Sequence, residues 1–294
     1  MMPPMGLVAP SGPAALELID ALSSTGHVAV FVGSGVSAES GLPAWRDFIL
    51  GLLVDAFNIA FDAEEEAARR WADSILDSQQ VTGAAAVVRA LHLKASGSGE
   101  PVEDKFADAL VKGLYGGLES SMFQPGPIAR ALAALRRELG SSVVIATTNY
   151  DDLLEKALRD AGFSRKEARP HIRRSSRIAA GSAPVFHLHG FATTKERKGR
   201  LVLSEEEYTR MQVGRSWQEQ YVTDLLRTHS CLFVGTSLVD PNLIRYLYGY
   251  GGRSERHWVV FARQSDDPRS GPVAKATARE RAGSCGRQGH RRRG

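Results

Sequence analysis

Residues 33–46 read Gly33-Ser34-Gly35-Val36-Ser37-Ala38-Glu39-Ser40-Gly41-Leu42-Pro43-Ala44-Trp45-Arg46, directly after an apolar run from His27 to Val32 that reads as a buried strand. Closely spaced glycines between a strand and a helix form the anion-gripping turn of nucleotide-binding α/β domains. Gly33 permits the tight turn, Gly35 lets the backbone approach a pyrophosphate, and small Ala38 allows close helix packing, so that backbone N–H groups can face an anion. Plain strand-to-helix turns carry the same glycines. What sharpens the pattern is its second half, where Gly41, Pro43, Trp45 and Arg46 put an aromatic ring and a cation just past the turn.

Outward from this loop the order of elements is unusual. A dinucleotide fold returns after one helix to a second strand carrying a ribose-binding acid about 20 residues past the glycines. Here the pattern predicts helices over 45–61, 63–78, 83–93, 102–119 and 127–139, broken by polar Gly/Ser/Pro stretches near 96–101 and 120–126. A helical module inserted into the nucleotide-binding domain accounts for this. The sheet resumes with Val143 to Thr147, followed by an amphipathic helix from Asp152 to Ala161 and a basic loop over 165–177. Val185 to Leu188 reads as a short strand and Leu201 to Leu203 as another extended piece. A capping box, Ser204 to Glu207, opens a helix through Met211, and a further helix covers 216–228. Cys231 to Gly235 and Trp258 to Phe261 read as strands separated by a helix from Asp240 to Tyr248, and Pro13 to Ser23 as a helix before the first strand. Alternating strands and helices imply a Rossmann-like α/β parallel sheet with helices on both faces.

Bulk properties narrow the classes. A chain of 294 residues with 43% hydrophobic residues can bury a large core. Its two cysteines, Cys231 and Cys285, make neither a disulfide framework nor a four-cysteine zinc site, which points to the cytoplasm. Met1 to Pro10 has no basic segment and does not read as a signal peptide, and no apolar run approaches membrane-spanning length. The formal charge is +4, yet residues 269–294 hold eight Lys or Arg against Glu280, so the chain up to 268 is mildly acidic. Nucleic acid is therefore not an expected partner, except weakly through the basic tail.

Three further blocks carry candidate chemistry. Thr147-Thr148-Asn149-Tyr150-Asp151 ends a strand and begins a helix, where Asn149 and Asp151 can serve simply as caps. Ligands of open parallel sheets nevertheless bind at the carboxyl ends of strands. A neutral amide there can order a water or a ribose hydroxyl, and Asp151 can oppose a developing positive centre. In His187-Leu188-His189-Gly190 the two histidines alternate along a strand, and without nearby carboxylate or cysteine ligands they do not suggest a metal. Each can be a satisfied structural histidine, or a base suited to neutral pH. Gly235-Thr236-Ser237 follows a buried strand and is either a simple turn or a set of hydroxyl and N–H donors for a ribose or phosphate.

Taken together, these four blocks resemble the sirtuin-like (silent information regulator two-like) family. The loop from Gly33 to Arg46 resembles its nucleotide loop, Thr147 to Asp151 its Thr-Gln-Asn-x-Asp motif, His189-Gly190 its catalytic His-Gly, and Gly235 to Ser237 its ribose-binding Gly-Thr-Ser. The resemblance covers about 27–261 and implies NAD as substrate. It casts Gly33, Ser34, Gly35, Ser37, Pro43, Trp45, Arg46, Thr148, Gly235, Thr236 and Ser237 as NAD-binding, Asn149 as positioning the reacting ribose, His189 as general base, Asp151 as catalytic support and His187 as structural. The order of elements and the composition of the terminus set the domain boundaries expected here: 1–45 with 139–264 as a discontinuous NAD-binding domain, 46–138 as the inserted module, and 265–294 as a basic, disordered tail.

Departures from the family pattern select the chemistry. Deacetylating sirtuins carry a four-cysteine zinc module, but after His189-Gly190 this chain has Lys195, Glu196, Arg197 and Lys198, so neither zinc module nor metal is expected. The segment Leu238 to Leu243 and the helical insert resemble a divergent bacterial branch found in anti-phage defence, which hydrolyses NAD to nicotinamide and ADP-ribose. That resemblance implies an NAD glycohydrolase, with a second copy or a defence partner as possible assembly partners. The alternatives are an NAD-dependent protein deacylase and a non-catalytic module sensing NAD or ADP-ribose. The abrupt change in composition after Phe261 suggests that the last sheet position is missing or supplied by a partner, and that the terminus is an altered reading of a longer ancestral chain.

Overall fold

A computed structural model describes residues 20, 22, 24, 26–78, 81–95, 102–173, 179, 181–213, 216–236, 247, 257–260 and 273–275. The strand β1 (Val28–Val32), Val-Ala-Val-Phe-Val, is buried along its whole length. Such a continuous run of β-branched and aromatic residues suits a strand covered on both faces. A short helix α1 (Ser34–Ala38) follows, then α2 (Trp45–Phe61), α3 (Glu65–Ser78), α4 (Val81–Ala95), α5 (Val102–Tyr115) and α6 (Pro127–Leu139), the last opened by proline at its first turn. The chain continues through β2 (Val143–Thr147), α7 (Leu153–Asp160), β3 (Pro170–His171), β4 (Val185–His187), the hairpin strands β5 (Phe191–Ala192) and β6 (Arg197–Lys198), α8 (Glu205–Val213), α9 (Trp217–Thr228), β7 (Ser230–Val234), β8 (His257–Val260) and β9 (Val273–Lys275).

The main sheet has the order β3-β4-β2-β1-β7-β8-β9, parallel except for the antiparallel β8–β9 pair. Alternation along the strands sends Val28, Val30, Val32, Ile145 and Val234 to one face, where they pack with α6 and α7. Ala29, Phe31, Ala146, Phe186 and Phe233 go to the other, against Val222, Leu225 and Leu226 of α9. Register places the site: Val32 lies opposite both Thr147 and Val234, and Thr147 opposite His187. Four strands thus end flush, and the loops that follow them share one edge.

The helices α2 to α5 bury a core of their own. Phe48, Ile49, Leu52 and Leu53 of α2 meet Ala68 and Ala72 of α3, Ala84, Ala85 and Val88 of α4, and Phe106 and Leu110 of α5, with fully buried alanines allowing close helix approach. The same cluster takes in Tyr150, Leu153 and Leu203, so the module sits on the loops at the strand ends.

Several expectations shift. The helix α6, expected within the 46–138 insert, buries Ala129, Leu132 and Ala133 with the sheet, because its amphipathic stripe faces β1, β2 and α7. Leu201 to Leu203 form no strand; they are buried by the helical module and the site loops instead. A two-residue strand, β3, lies inside the basic 165–177 loop, and the small β5–β6 hairpin has too few residues to show a period. Within the tail expected to be disordered from 265, residues 273–275 pair with β8 and occupy the last sheet position. The remainder of that tail, the 240–248 helix except Leu247, and most of the 13–23 helix lie outside the described residues.

Candidate active site

The loops after β1, β2, β4 and β7 interlock through backbone bonds. Gly33 N donates to Val234 O at 2.9 Å, Gly35 N to Gly235 O at 2.8 Å, and Thr148 N to Val32 O at 3.1 Å. Gly35 is small for a reason other than the one expected from sequence: a Cβ there would lie 2.8 Å from Gly235 O, so the glycine admits the neighbouring loop. The N–H groups of Gly33, Gly35 and Val36 are engaged within the fold rather than presented together to an anion. Gly190 has φ +90, and a Cβ on it would lie 2.5 Å from Arg200 O. Only glycine combines that conformation with that approach.

A buried polar network underlies the cavity. Asn149 Nδ2 donates to Gly33 O at 3.0 Å and to Ser37 Oγ at 2.7 Å. Since a carbonyl only accepts, this fixes the amide orientation and leaves Oδ1 as its acceptor atom. Ser37 Oγ in turn donates to Asp151 Oδ2 at 2.6 Å, and Asp151 Oδ1 accepts from Leu153 N at 3.1 Å. Burial raises the Asp151 pKa above its ordinary value, against the lowering effect of these bonds. His187, almost completely buried, contacts Asn149 O through Nδ1 at 2.9 Å and Glu155 Oε1 through Nε2 at 2.8 Å. Burial opposes charge on His187, but the adjacent Glu155 carboxylate and these hydrogen bonds outweigh it, and the pKa is raised. His187 therefore has a structural place, tying α7 to the Asn149 loop.

His189 lies apart from that network. Its backbone O accepts from Val202 N at 2.9 Å, and Nδ1 lies 3.3 Å from the Tyr208 hydroxyl. It lines a cavity of about 620 Å³ together with Gly33, Ser34, Gly35, Ser37, Pro43, Trp45, Arg46, Thr148, Asn149, Asp151, Gly235 and Thr236. One space thus gathers every candidate residue except Ser237, which lies outside the described residues. Arg46 also pairs with Asp77 at 3.0 Å, both side chains being exposed. The fold further supplies Phe48, Val81, Leu114, Tyr150 and Tyr208 as lining residues. Sequence reading missed these because a helical core pattern does not reveal which apolar residue faces a cavity. Only Tyr208, in the turn opened by the predicted capping box, had a local signal beside it.

A family model described as a SIR2-like domain matches residues 143–281, spanning the Asn149, His189 and Gly235 loops described above. The match covers just under half of the chain, and within it the chain is similar to SIR2-like domains. Among relatives, this chain is 24% identical over 244 residues to "NAD(+) hydrolase ThsA" of Acinetobacter baumannii (strain 532279), covering 80% of this chain and 42% of that protein. It is 29% identical over 245 residues to "NAD(+) hydrolase ThsA" of Cytobacillus dafuensis, covering 80% and 41%. A 35-residue stretch is 54% identical to an "NAD-dependent protein deacylase" of Methylococcus capsulatus (strain ATCC 33009 / NCIMB 11132 / Bath), 12% of this chain and 14% of that one. The chain thus spans about two-fifths of the length of the two hydrolases. Among the described residues, no group of three His, Cys, Asp or Glu is placed to hold a metal ion. Nor is any described helix long and apolar enough to cross a membrane. Cys231 is buried, and burial pushes its thiol up to about 12, which suits core packing rather than nucleophilic chemistry.

Proposed function

We propose that this chain hydrolyses NAD to nicotinamide and ADP-ribose. The observation that carries the reading is the convergence of the Gly33 and Gly235 loops, Asn149 and His189 on one cavity of about 620 Å³. In this reading Asn149 Oδ1 accepts from a hydroxyl of the nicotinamide ribose or from the attacking water, because its amide hydrogens are committed to Gly33 and Ser37. Breaking the C1′–N bond sends the bonding pair to nicotinamide, which leaves neutral, and positive charge develops at C1′. Water oxygen then bonds C1′, and His189 takes the proton that water loses. Asp151 acts through Ser37, holding the hydroxyl that holds Asn149. The loops from Gly33 and Gly235 line the dinucleotide, with Trp45 and Arg46 toward its nicotinamide end.

We place this activity in the bacterial cytoplasm, as an anti-phage defence effector whose turnover depends on assembly with a second copy or a partner. The likeness to hydrolases named ThsA supports the chemistry. Purified protein incubated with NAD alone tests it: free nicotinamide is expected, and its absence from Asn149→Ala and His189→Ala proteins that remain folded. Release only when an acylated peptide is added would replace this reading with deacylation, and binding without turnover would replace it with sensing. Cells carrying the wild-type gene should lose NAD on phage challenge, whereas His189→Ala cells should not.

A further inference from the structure

A second cavity, of about 380 Å³, opens at the same carboxyl edge of the sheet. Ile172 and Arg173 follow β3 directly and line it, as does His187 at the end of the parallel neighbour β4. Ligands of open parallel sheets collect at this edge. One chain segment serves both cavities: His189 lines the larger, while His187 and Gly190 line the smaller. Arg200 lines the smaller one as well, and its carbonyl packs against Gly190, where a Cβ would lie 2.5 Å from it.

The smaller cavity is cationic and aromatic. Arg173 and Arg200 supply two guanidinium groups, and no carboxylate is among the described residues that line it. Three carboxylates of the adjoining elements are engaged: Glu207 with Arg89 and Arg200, Glu196 with Lys198, and Glu155 with His187. His171, just before Ile172, registers the surplus of positive charge. Burial lowers its pKa most, and Arg169 and Lys198 lower it further against the opposing effect of Glu155. The helix α9 opens at the cavity with Trp217 and Gln218, so its first N–H groups add partial positive charge there. Trp217 is braced by Tyr221, with ring centroids 6.1 Å apart, and Tyr221 by Phe186 of β4 at 4.5 Å. A ring held in this way offers a planar face for stacking.

Two guanidinium groups beside a helix N-terminus select an anion, and a phosphoryl group suits their forked donors. Trp217 and Ile172 select a flat, partly apolar group beside that anion. The volume lies at the low end of the range of ligand cavities, about 300–1,000 Å³, which suits a mononucleotide better than a dinucleotide. We propose that this cavity is a second ligand site, separate from the larger one, that takes a nucleoside monophosphate with its phosphate on Arg173 and Arg200 and its base on Trp217. The site does not depend on the hydrolysis of NAD.

In protein labelled with ¹⁵N-tryptophan, two indole signals report the cavities separately, because Trp217 lines the smaller and Trp45 the larger. Trp217→Phe and Trp45→Phe assign them. Titration with 5′-AMP should move the Trp217 signal saturably, half-maximal at or below about 1 mM, with Trp45 unmoved over that range. Arg173 is exposed, so Arg173→Gln should keep the denaturation midpoint. It should raise the half-maximal concentration about tenfold, the loss expected for one charged hydrogen bond. Inorganic phosphate and adenosine should each need at least about tenfold more than 5′-AMP, since each offers only part of the ligand. Trp45 and Trp217 saturating together would assign the effect to the larger cavity and overturn the proposal. No saturable Trp217 shift, or Arg173→Gln titrating as the wild type does, would remove the site. Phosphate as effective as 5′-AMP would overturn the nucleotide assignment, and adenosine as effective would overturn the role of the arginines.

Discussion

The cavity is built by two regions of opposite character. Its floor lies at the strand ends of the sheet, where Ser37 of α1, Asn149 and Asp151 of the loop after β2, His187 of β4 and Glu155 of α7 are buried and bonded to one another. Its wall comes from the helical module, where Trp45, Phe48, Val81 and Leu114 offer apolar surface and Arg46 joins an exposed ion pair. In the floor each polar group positions the next, so one deletion propagates through the network. Wall residues act separately, each through the shape it lends. Chemistry should therefore fail all at once when the floor is cut, and drift when the wall is altered.

The sharpest break is at the floor's charge pair. Glu155→Leu leaves His187 buried beside Asn149 without its counter-charge, and removing one partner of a buried pair costs about 3–5 kcal/mol. Chemical denaturation should show that loss, with nicotinamide release falling because Asn149 O loses a positioned partner. A change below about 1 kcal/mol, the range of exposed pairs, would mean that the floor is no network. Glu155→Leu with His187→Phe should recover much of the stability, since burying apolar groups in place of both charges is often nearly neutral.

Acidity gives a smaller effect of the same origin. The His187 pKa is raised in the fold above 6.5, so its contribution to stability is complete below that value and is lost as pH rises through the folded pKa. His92, His171 and His229 are lowered by burial, and they cost stability only as pH falls below the same ordinary value. Above pH 6.5 the His187 effect therefore stands alone among these four. Denaturation midpoints should fall from pH 6.5 to 8.5 in the wild type and flatten over that window in His187→Gln. Parallel slopes in the two proteins would detach His187 from the floor's energetics.

Much of the floor was legible in sequence because strand ends have local signatures. An apolar run followed by Gly33 and Gly35, or by Thr148 and Asn149, fixes both the element and the edge at which its loop emerges. Partners distant in sequence left no such trace: the Asn149 bond to Ser37, the Glu155 bond to His187 and the contact of Gly35 with Gly235 depend on register among parallel strands. The wall was legible as helices but not as a wall, because Val81 and Leu114 follow the same period whether they face a core or a cavity. The packing of α6 was misread for a related reason, since one amphipathic stripe suits either the insert or the sheet. At β9 composition predicted disorder, while pairing to β8 gives three residues a place that their apolar content alone does not.

The smallest expected effect tests the wall through Arg46. It lines the cavity at the first turn of α2, but its guanidinium is half exposed and pairs with Asp77, itself 73% exposed. Asp77→Ala removes a solvent-screened contact and should leave stability unchanged within measurement, since such pairs contribute little. If Arg46 meets the dinucleotide, Asp77→Ala frees it for that role, and KM for NAD should hold or fall slightly while kcat stays constant. Arg46→Gln should raise KM several-fold, again without moving kcat, because a charged hydrogen bond made equally to substrate and transition state contributes only to binding. A matching loss of kcat in Arg46→Gln would show that the wall takes part in the reaction, and the division between a floor that reacts and a wall that shapes would no longer hold.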